Sequence, residues 1–149
     1  MKVITNNKKA FFDYEVLDTL EAGVVLLGDE VKALRAGHVN LTGSFATVTR
    51  GELFLLNCHI TPYEKAYRKD EDLAGRSRKL LVHRRELHRL VGEISKKGLT
   101  LVPLKIYFNE KSKIKVLIGL CKHKKAANKK QVLKERDIKR ETSREIKNR

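Results

Sequence analysis

Short apolar runs, each ended by a turn signal, dominate the first 121 residues and restrict the fold more than any other feature of the chain. Phe45–Thr49 and Leu53–Asn57 flank Arg50-Gly51-Glu52, while Thr100–Phe108 and Ile114–Leu120 flank a polar turn. Two strand-like runs joined by a short polar or glycine-containing turn predict a β-hairpin. The sequence therefore predicts two hairpins.

Two more apolar runs lie nearer the N-terminus, at Ala10–Leu20 and Gly23–Gly28. Together with the hairpins they bring the predicted short strands to six. Antiparallel sheets of such strands commonly avoid open edges by closing on themselves. We therefore expect a mainly β fold in which the strands form a closed barrel.

Two helices are predicted between the strands. Asp29 is a suitable N-cap for Glu30–Ala36, and Gly37 follows as a stop signal. The second helix, His83–Lys97, places leucine, valine and isoleucine at helical spacing and is followed by Gly98. Asp at an N-cap and Gly just past a C-terminus are the residues that helix ends favour.

The positive charge is concentrated at the C-terminus. The chain carries a net charge of +15, and residues 122–149 hold 12 of its 33 Lys and Arg but only 4 of its 18 Asp and Glu. Because this stretch has few large apolar residues, it cannot bury enough surface to offset the entropy of ordering. We predict a barrel domain at 1–121 and a basic tail at 122–149 that is disordered when free and helical when bound.

Several classes of protein are disfavoured. No apolar run approaches the length of a membrane span, and the N-terminus has no signal-peptide pattern, so we expect a cytoplasmic protein without membrane contact. Cys58-His59 and Cys121-x-His123 offer four zinc ligands, but adjacent strand residues point to opposite faces. We therefore expect packed, reduced thiols, no metal and no cofactor.

The basic clusters predict a polyanionic partner. Phosphates are bound by arginine forks and lysine point charges, and an excess of this size favours nucleic acid. Tyr63 lies in the charged segment between Ile60 and Lys79, where its ring could stack on a base. Glu30 has two readings: an ion pair with Lys32 and Arg35, or an acceptor for a base or ribose donor.

The residues alone leave more than one function open. A basic ribonuclease could use His59 with Glu64 and Lys65 as acid–base groups. A generic single-strand RNA-binding barrel of the OB type is another possibility.

A set of ordered blocks covers nearly the whole chain and is specific enough to indicate a family. The blocks are Asn7-Lys8-Lys9-Ala10, Asp13-Tyr14, Glu21-Ala22-Gly23, Gly28-x-Glu30-Val31-Lys32-x-Leu34-Arg35-x-Gly37-x-x-Asn40-Leu41-x-x-Ser44, His59-Ile60-x-Pro62-Tyr63, Arg76-x-Arg78-Lys79-Leu80-Leu81-x-His83, Gly98-x-Thr100-Leu101-Val102-Pro103-Leu104-Lys105 and Lys134-Glu135-Arg136-Asp137. In order and spacing they resemble the SsrA-binding proteins of bacteria, the small protein B (SmpB) family.

This resemblance implies an OB-like closed six-stranded antiparallel barrel with two or three helices. It further implies a monomeric, non-enzymatic adaptor of trans-translation that binds the tRNA-like domain of transfer-messenger RNA. The complex would resemble an aminoacyl-tRNA to elongation factor Tu and would enter the A site of a stalled ribosome. The tail would then lie in the empty mRNA channel next to the decoding centre.

Two sets of site residues are expected on this basis. The RNA-binding set is Glu30, Lys32, Arg35, Asn40, His59, Tyr63, Arg76, Arg78, Lys79, Lys122, Lys124 and Lys125. The ribosome-binding set in the tail is Lys129, Lys130, Lys134, Arg136, Lys139 and Arg140.

The chain departs from the family pattern where the tail begins. His123 stands where the family usually has Gly, and Ala127-Asn128 replaces an aromatic or His followed by Asp. The positive charge of this junction is kept.

Overall fold

The computed structural model describes residues 2–61 and 74–124. Tyr63, Lys125 and the six predicted tail residues lie outside these ranges. The elements in chain order are β1 Lys2–Asn6, α1 Lys8–Asp13, β2 Tyr14–Val24, α2 Gly28–Arg35, β3 Val39–Asn40, β4 Phe45–Thr49, β5 Glu52–Leu56, β6 His59–Ile60, β7 Arg78–Leu81, α3 Arg84–Lys97, β8 Thr100–Phe108 and β9 Ile114–His123.

Six antiparallel strands close into a ring, which confirms the predicted barrel. The order around the ring is β8–β4–β5–β7–β2–β9, and β9 pairs again with β8. Strand β8 shares one edge between two partners: Leu101 pairs with Ala46 of β4, whereas Lys105 to Phe108 pair with β1. The ring is thus closed and β1 is attached outside it. A separate two-stranded sheet joins β3 to β6.

Both predicted hairpins are confirmed, but one member of the ring differs from the prediction. Strand β2 continues through Gly23 to Val24, so the Gly23–Gly28 run is not a strand of its own. The sixth strand of the ring is instead β7, in which Arg78 and Leu80 point inward. An inward-pointing arginine hides the alternation that normally marks a strand.

The first four residues of the predicted Ala10–Leu20 strand, residues 10–13, are helical. The Asn7 side chain caps α1 by accepting a hydrogen bond from the Ala10 N–H at 3.2 Å. Its amide also donates to the Pro103 carbonyl at 2.9 Å, which ties the cap to β8. A tertiary contact thus decides the conformation of this segment over its local pattern.

Asp29 is not the N-cap of α2, so that prediction was wrong. The helix begins at Gly28 after Leu27, and the Glu30 carboxylate accepts a hydrogen bond from the Leu27 N–H at 2.8 Å. Helix α3 matches its prediction closely, and Gly98 ends it in a left-handed conformation with φ 61°.

The core fills the barrel and extends beneath the helices. Its buried residues include Leu53 and Ile118 from the strands, Leu34 from α2 and Leu90 from α3. A second, smaller cluster under α1 is formed by Ala10, Val102, Leu104 and Cys121. At Gly119 the packing is so close that an added Cβ would lie 2.9 Å from Leu104 Cδ1.

Candidate nucleic-acid interface

Glu30 is buried and forms the centre of an ion-pair cluster. Its Oε1 lies 2.5 Å from Arg76 Nη2, and its Oε2 lies 2.6 Å from Arg78 Nη2. The sequence placed Lys32 and Arg35 beside this carboxylate, whereas the observed ion pairs come from residues 46 and 48 positions further along the chain. The ion-pair reading of Glu30 is therefore correct, with different partners.

The pKa of Glu30 reflects two opposing effects. Burial alone would raise the pKa, but hydrogen bonds from Arg76, from the Leu27 N–H and from Arg78 outweigh it and hold the pKa below its ordinary value. The carboxylate is therefore ionised at neutral pH and occupied by donors from its own chain.

Arg78 is completely buried and acts as a structural tie. Its guanidinium donates to the carbonyls of Cys58 at 2.6 Å, Ala74 at 3.0 Å and Arg76 at 3.0 Å, in addition to Glu30. The sequence predicted a phosphate contact for Arg78, but with 0% exposure the side chain is not accessible to a phosphate. Arg78 instead joins α2, β7 and the residues on either side of the segment 62–73.

Arg76 and Lys79, which are close to Arg78 in the sequence, both reach the surface. The Arg76 side chain is 24% exposed and also reaches the Val25 carbonyl at 3.4 Å. The Lys79 side chain is 45% exposed, with its Nζ 3.3 Å from a carboxylate oxygen of the equally exposed Glu52. An exposed pair of this kind is weak enough for a phosphate to displace.

The other predicted RNA-binding residues lie in two further places. Asn40 and His59 are exposed and directly opposite each other in the β3–β6 sheet, and Asn40 Oδ1 accepts from the Thr42 N–H at 2.9 Å. Lys122 is exposed on β9 opposite Glu15, and the half-buried Lys124 follows the last strand residue. Strand β9 therefore extends two residues past the boundary expected from the charge distribution. Lys32 and Arg35 are exposed on α2.

The structure adds a surface around Gly23 that the sequence did not assign. An added Cβ at Gly23 would lie 3.4 Å from Leu81 Cβ and 3.6 Å from Lys115 Nζ, so both side chains close over this glycine. Lys115 pairs with Gly23 on one side and with Tyr107 on the other. The Tyr107 hydroxyl donates to the Glu21 carboxylate. We call Glu21, Gly23, Leu81, Tyr107 and Lys115 the Gly23 face.

The Gly23 face combines charge with the exposed apolar side chain of Leu81, and its aromatic residue, Tyr107, is buried. Lys105 Nζ lies 5.5 Å from the centroid of the Tyr107 ring, within the range of a cation–π contact. Burial raises the pKa of Tyr107, and the hydrogen bond to the Glu21 carboxylate raises it further. The alternation of Lys113 and Lys115 is a local signal for one member of this surface, Lys115, whereas strand pairing brings the other members beside it.

The two cysteines are buried packing residues. Both are 0% exposed and neither forms a disulfide. Burial raises the pKa of each thiol to about 11, so the thiols are protonated at neutral pH. Within residues 2–61 and 74–124, no three His, Cys, Asp or Glu side chains gather in a way that could hold a metal ion. No helix in the described part of the chain is long and apolar enough to cross a membrane.

Comparison with known proteins settles the family. Residues 4–148 match the family model described as SmpB protein. The chain belongs to the SmpB family. Among SmpB relatives, the SsrA-binding protein of Thermus thermophilus is 52% identical over 140 residues, covering 94% of this chain and 96% of that protein. The SsrA-binding protein of Symbiobacterium thermophilum is 49% identical, covering 98% and 92%.

A solved SmpB structure is similar in fold as well as in sequence. It is described as "tmRNA-SmpB: a journey to the center of the bacterial ribosome" and is 56% identical, with a TM-score of 0.68. The similarity covers 85% of this chain and 87% of the solved one.

Proposed function

We propose that this chain is an RNA-binding adaptor of trans-translation. It binds the tRNA-like domain of transfer-messenger RNA and carries it, in the cytoplasm, to the A site of a ribosome stalled without a codon. The observation that carries the proposal is the family match over residues 4–148, together with relatives about 50% identical that are SsrA-binding proteins. Its role is binding and delivery, without catalysis.

The RNA surface of the barrel is assigned to the Gly23 face and the adjoining exposed cations Arg76 and Lys79. Strand pairing connects them, because Gly23 pairs with Leu81 and the Val25 N–H donates to the Lys79 carbonyl at 2.9 Å. Positive groups beside the exposed apolar side chain of Leu81 suit RNA, in which phosphates and unstacked bases occur together. Glu21 adds an acceptor that can select a base or ribose donor.

The predicted tail residues supply a second binding role in this proposal. Lys129, Lys130, Lys134, Arg136, Lys139 and Arg140 would contact ribosomal RNA in the mRNA channel. Elongation factor Tu would be met indirectly, through the bound RNA. The net charge of +8 in residues 122–149, about half of the total, suits a separate polyanionic partner.

Recovery of RNA from cells tests the proposal. The full chain and a version ending at Ala127 are each isolated with their bound RNA, and the RNA is sequenced. We expect transfer-messenger RNA to dominate both samples, whereas tagging of stalled peptides occurs only with the full chain. Broad recovery of unrelated RNA would favour a generic single-strand binder, and cleavage of the recovered RNA that is lost in His59→Ala would favour the ribonuclease.

A further inference from the structure

The last residue that the structure describes, Lys124, completes the C-terminal end of helix α1. The final carbonyls of a helix have no partner within it and need donors from elsewhere. The Lys124 N–H donates to the Asp13 carbonyl at 3.0 Å, and its Nζ donates to the Phe11 carbonyl, also at 3.0 Å. One residue therefore caps two of these carbonyls, once with its backbone and once with its side chain.

A ring contact lies directly beside this cap. Tyr14 and His123 are the first and last paired residues of β2 and β9, and they face each other across the two strands. Their ring centroids are 4.3 Å apart at an interplanar angle of 42°. Contacts between directly opposite side chains stabilise a strand pair, so this one stabilises the last pair of the β2–β9 ladder. A glycine at position 123 would remove it.

Helix α1 is a firm base for these contacts. Its N-terminal end is attached to β8 through the bond from Asn7 Nδ2 to the Pro103 carbonyl. Its buried residue Ala10 packs on Val102, Leu104 and Cys121. The hydrogen bonds that hold Lys124 on α1 therefore hold it in a fixed position relative to the barrel.

We propose that His123 and Lys124 form a clamp that sets the direction in which the chain leaves the barrel toward residue 125. Its functional consequence rests on the function proposed above: the barrel holds the RNA while the tail reaches the ribosome, so the clamp fixes the position of one relative to the other. Both are positioning residues. They act through the orientation of the following segment, without themselves contacting the partner that the tail binds.

Distance measurements between two spin labels test the clamp without RNA or ribosomes. Labels are placed on Glu110→Cys, in the exposed turn between β8 and β9, and on Asn128→Cys; the unsubstituted chain shows whether the buried Cys58 and Cys121 take up label. In the background of the two labelled cysteines we compare His123→Gly with Lys124→Met and with the two combined. We expect the distance distribution to broaden in each variant and most in the combined one.

Matched variants separate the clamp from charge and from stability. Lys122→Met removes a neighbouring exposed cation and should leave the distribution unchanged. His123→Phe keeps a ring and Lys124→Arg keeps a donor, so both should restore a narrow distribution. An unchanged distribution in the combined His123→Gly and Lys124→Met variant would overturn the clamp. The clamp would also be overturned if the distribution broadened only in variants that urea denaturation shows to be globally unfolded.

The functional consequence is measured as peptide tagging at saturating RNA. We expect tagging by Lys124→Met to fall about two- to tenfold relative to Lys97→Met, which removes an exposed cation of α3, because this is the range that one net hydrogen bond represents. Because RNA is saturating, a change in affinity for transfer-messenger RNA does not alter this comparison. Equal tagging would overturn the positioning role. If the unsubstituted chain bound no transfer-messenger RNA, the proposed function would fail instead, and the distance result would stand on its own.

Discussion

Nη2 of the completely buried Arg78 lies 2.6 Å from Oε2 of Glu30, and this pair joins β7 to the start of α2. Removal of one partner from a buried ion pair leaves the other charge without compensation. In this chain, removal of Arg78 would also take away the hydrogen-bond donor of the Cys58 and Ala74 carbonyls. The pair is therefore a requirement of the fold.

We expect Arg78→Met to lower the free energy of unfolding by about 3–5 kcal/mol, the range for breaking a buried pair. Lys79→Met is the matched control, because the neighbouring side chain is half exposed, and it should change stability by no more than about 0.5 kcal/mol. Urea denaturation of both variants measures the difference. If Arg78→Met is as stable as Lys79→Met, the structural role of Arg78 is refuted.

Acid should destabilise the protein through Glu30. Hydrogen bonds from Arg76, Leu27 and Arg78 hold the folded-state pKa of Glu30 below its ordinary value of 4.5, although burial opposes them. A group with a depressed folded pKa stabilises the fold above its unfolded pKa and loses that contribution as pH falls toward the folded value. Stability should thus fall below about pH 4.5.

Urea midpoints between pH 7 and pH 3 measure this dependence. Glu30→Gln should lower stability at pH 7 and flatten the fall, because its side chain does not titrate. The pKa of Asp18 is also lowered, chiefly by its hydrogen bond from Arg89. Asp18→Asn is therefore the control variant. A Glu30→Gln chain with the same pH profile as the parent would show that Glu30 is not a source of the acid sensitivity.

Two glycines should respond oppositely to alanine. At Gly119 a Cβ would meet Leu104 Cδ1 at 2.9 Å and Cys121 Sγ at 3.0 Å, whereas at Gly92 of α3 it would meet nothing within 4 Å. Overpacking should cost Gly119→Ala about 1–3 kcal/mol. Gly92→Ala should gain about 0.5–1 kcal/mol from helix propensity. Thermal or urea unfolding checks both, and a neutral Gly119→Ala would contradict the close packing inside the barrel.

The closed barrel was predictable because its hairpins have strong local signals, whereas its contacts between distant segments were not. Nothing near Glu30 in the sequence indicates that it pairs with Arg76 and Arg78. Arg78 resembles a surface cation until the fold closes around it. The helical start of the Ala10–Leu20 segment likewise depends on Asn7 reaching Pro103, a contact 96 residues away.

The candidate site shows the same division between local and long-range information. The excess of positive charge and the family blocks could be read from the sequence, and so could the exposed Lys79 and Lys122. The Gly23 face could not, because Leu81, Lys115 and Tyr107 come from different strands and meet only through strand register.

Lys115→Ala tests the RNA surface. If Lys115 contacts one phosphate, its loss should weaken binding to transfer-messenger RNA and reduce the slope of log affinity against log salt by roughly 0.7–0.9. Lys97→Ala, which removes a cation already paired with Glu93 outside that surface, should leave the slope unchanged. Filter binding at several salt concentrations measures both. Equal slopes for the two variants would remove Lys115 from the interface.

Competition between two RNAs of equal length tests the central claim most directly. Folded transfer-messenger RNA and an unstructured RNA compete for the full chain at several salt concentrations, so that the charge contribution common to both is measured in the same titrations. We predict that transfer-messenger RNA wins by at least about a thousandfold, the lower end of typical specific over non-specific nucleic-acid binding. Equal competition at every salt concentration would contradict the account and leave a generic polyanion-binding barrel.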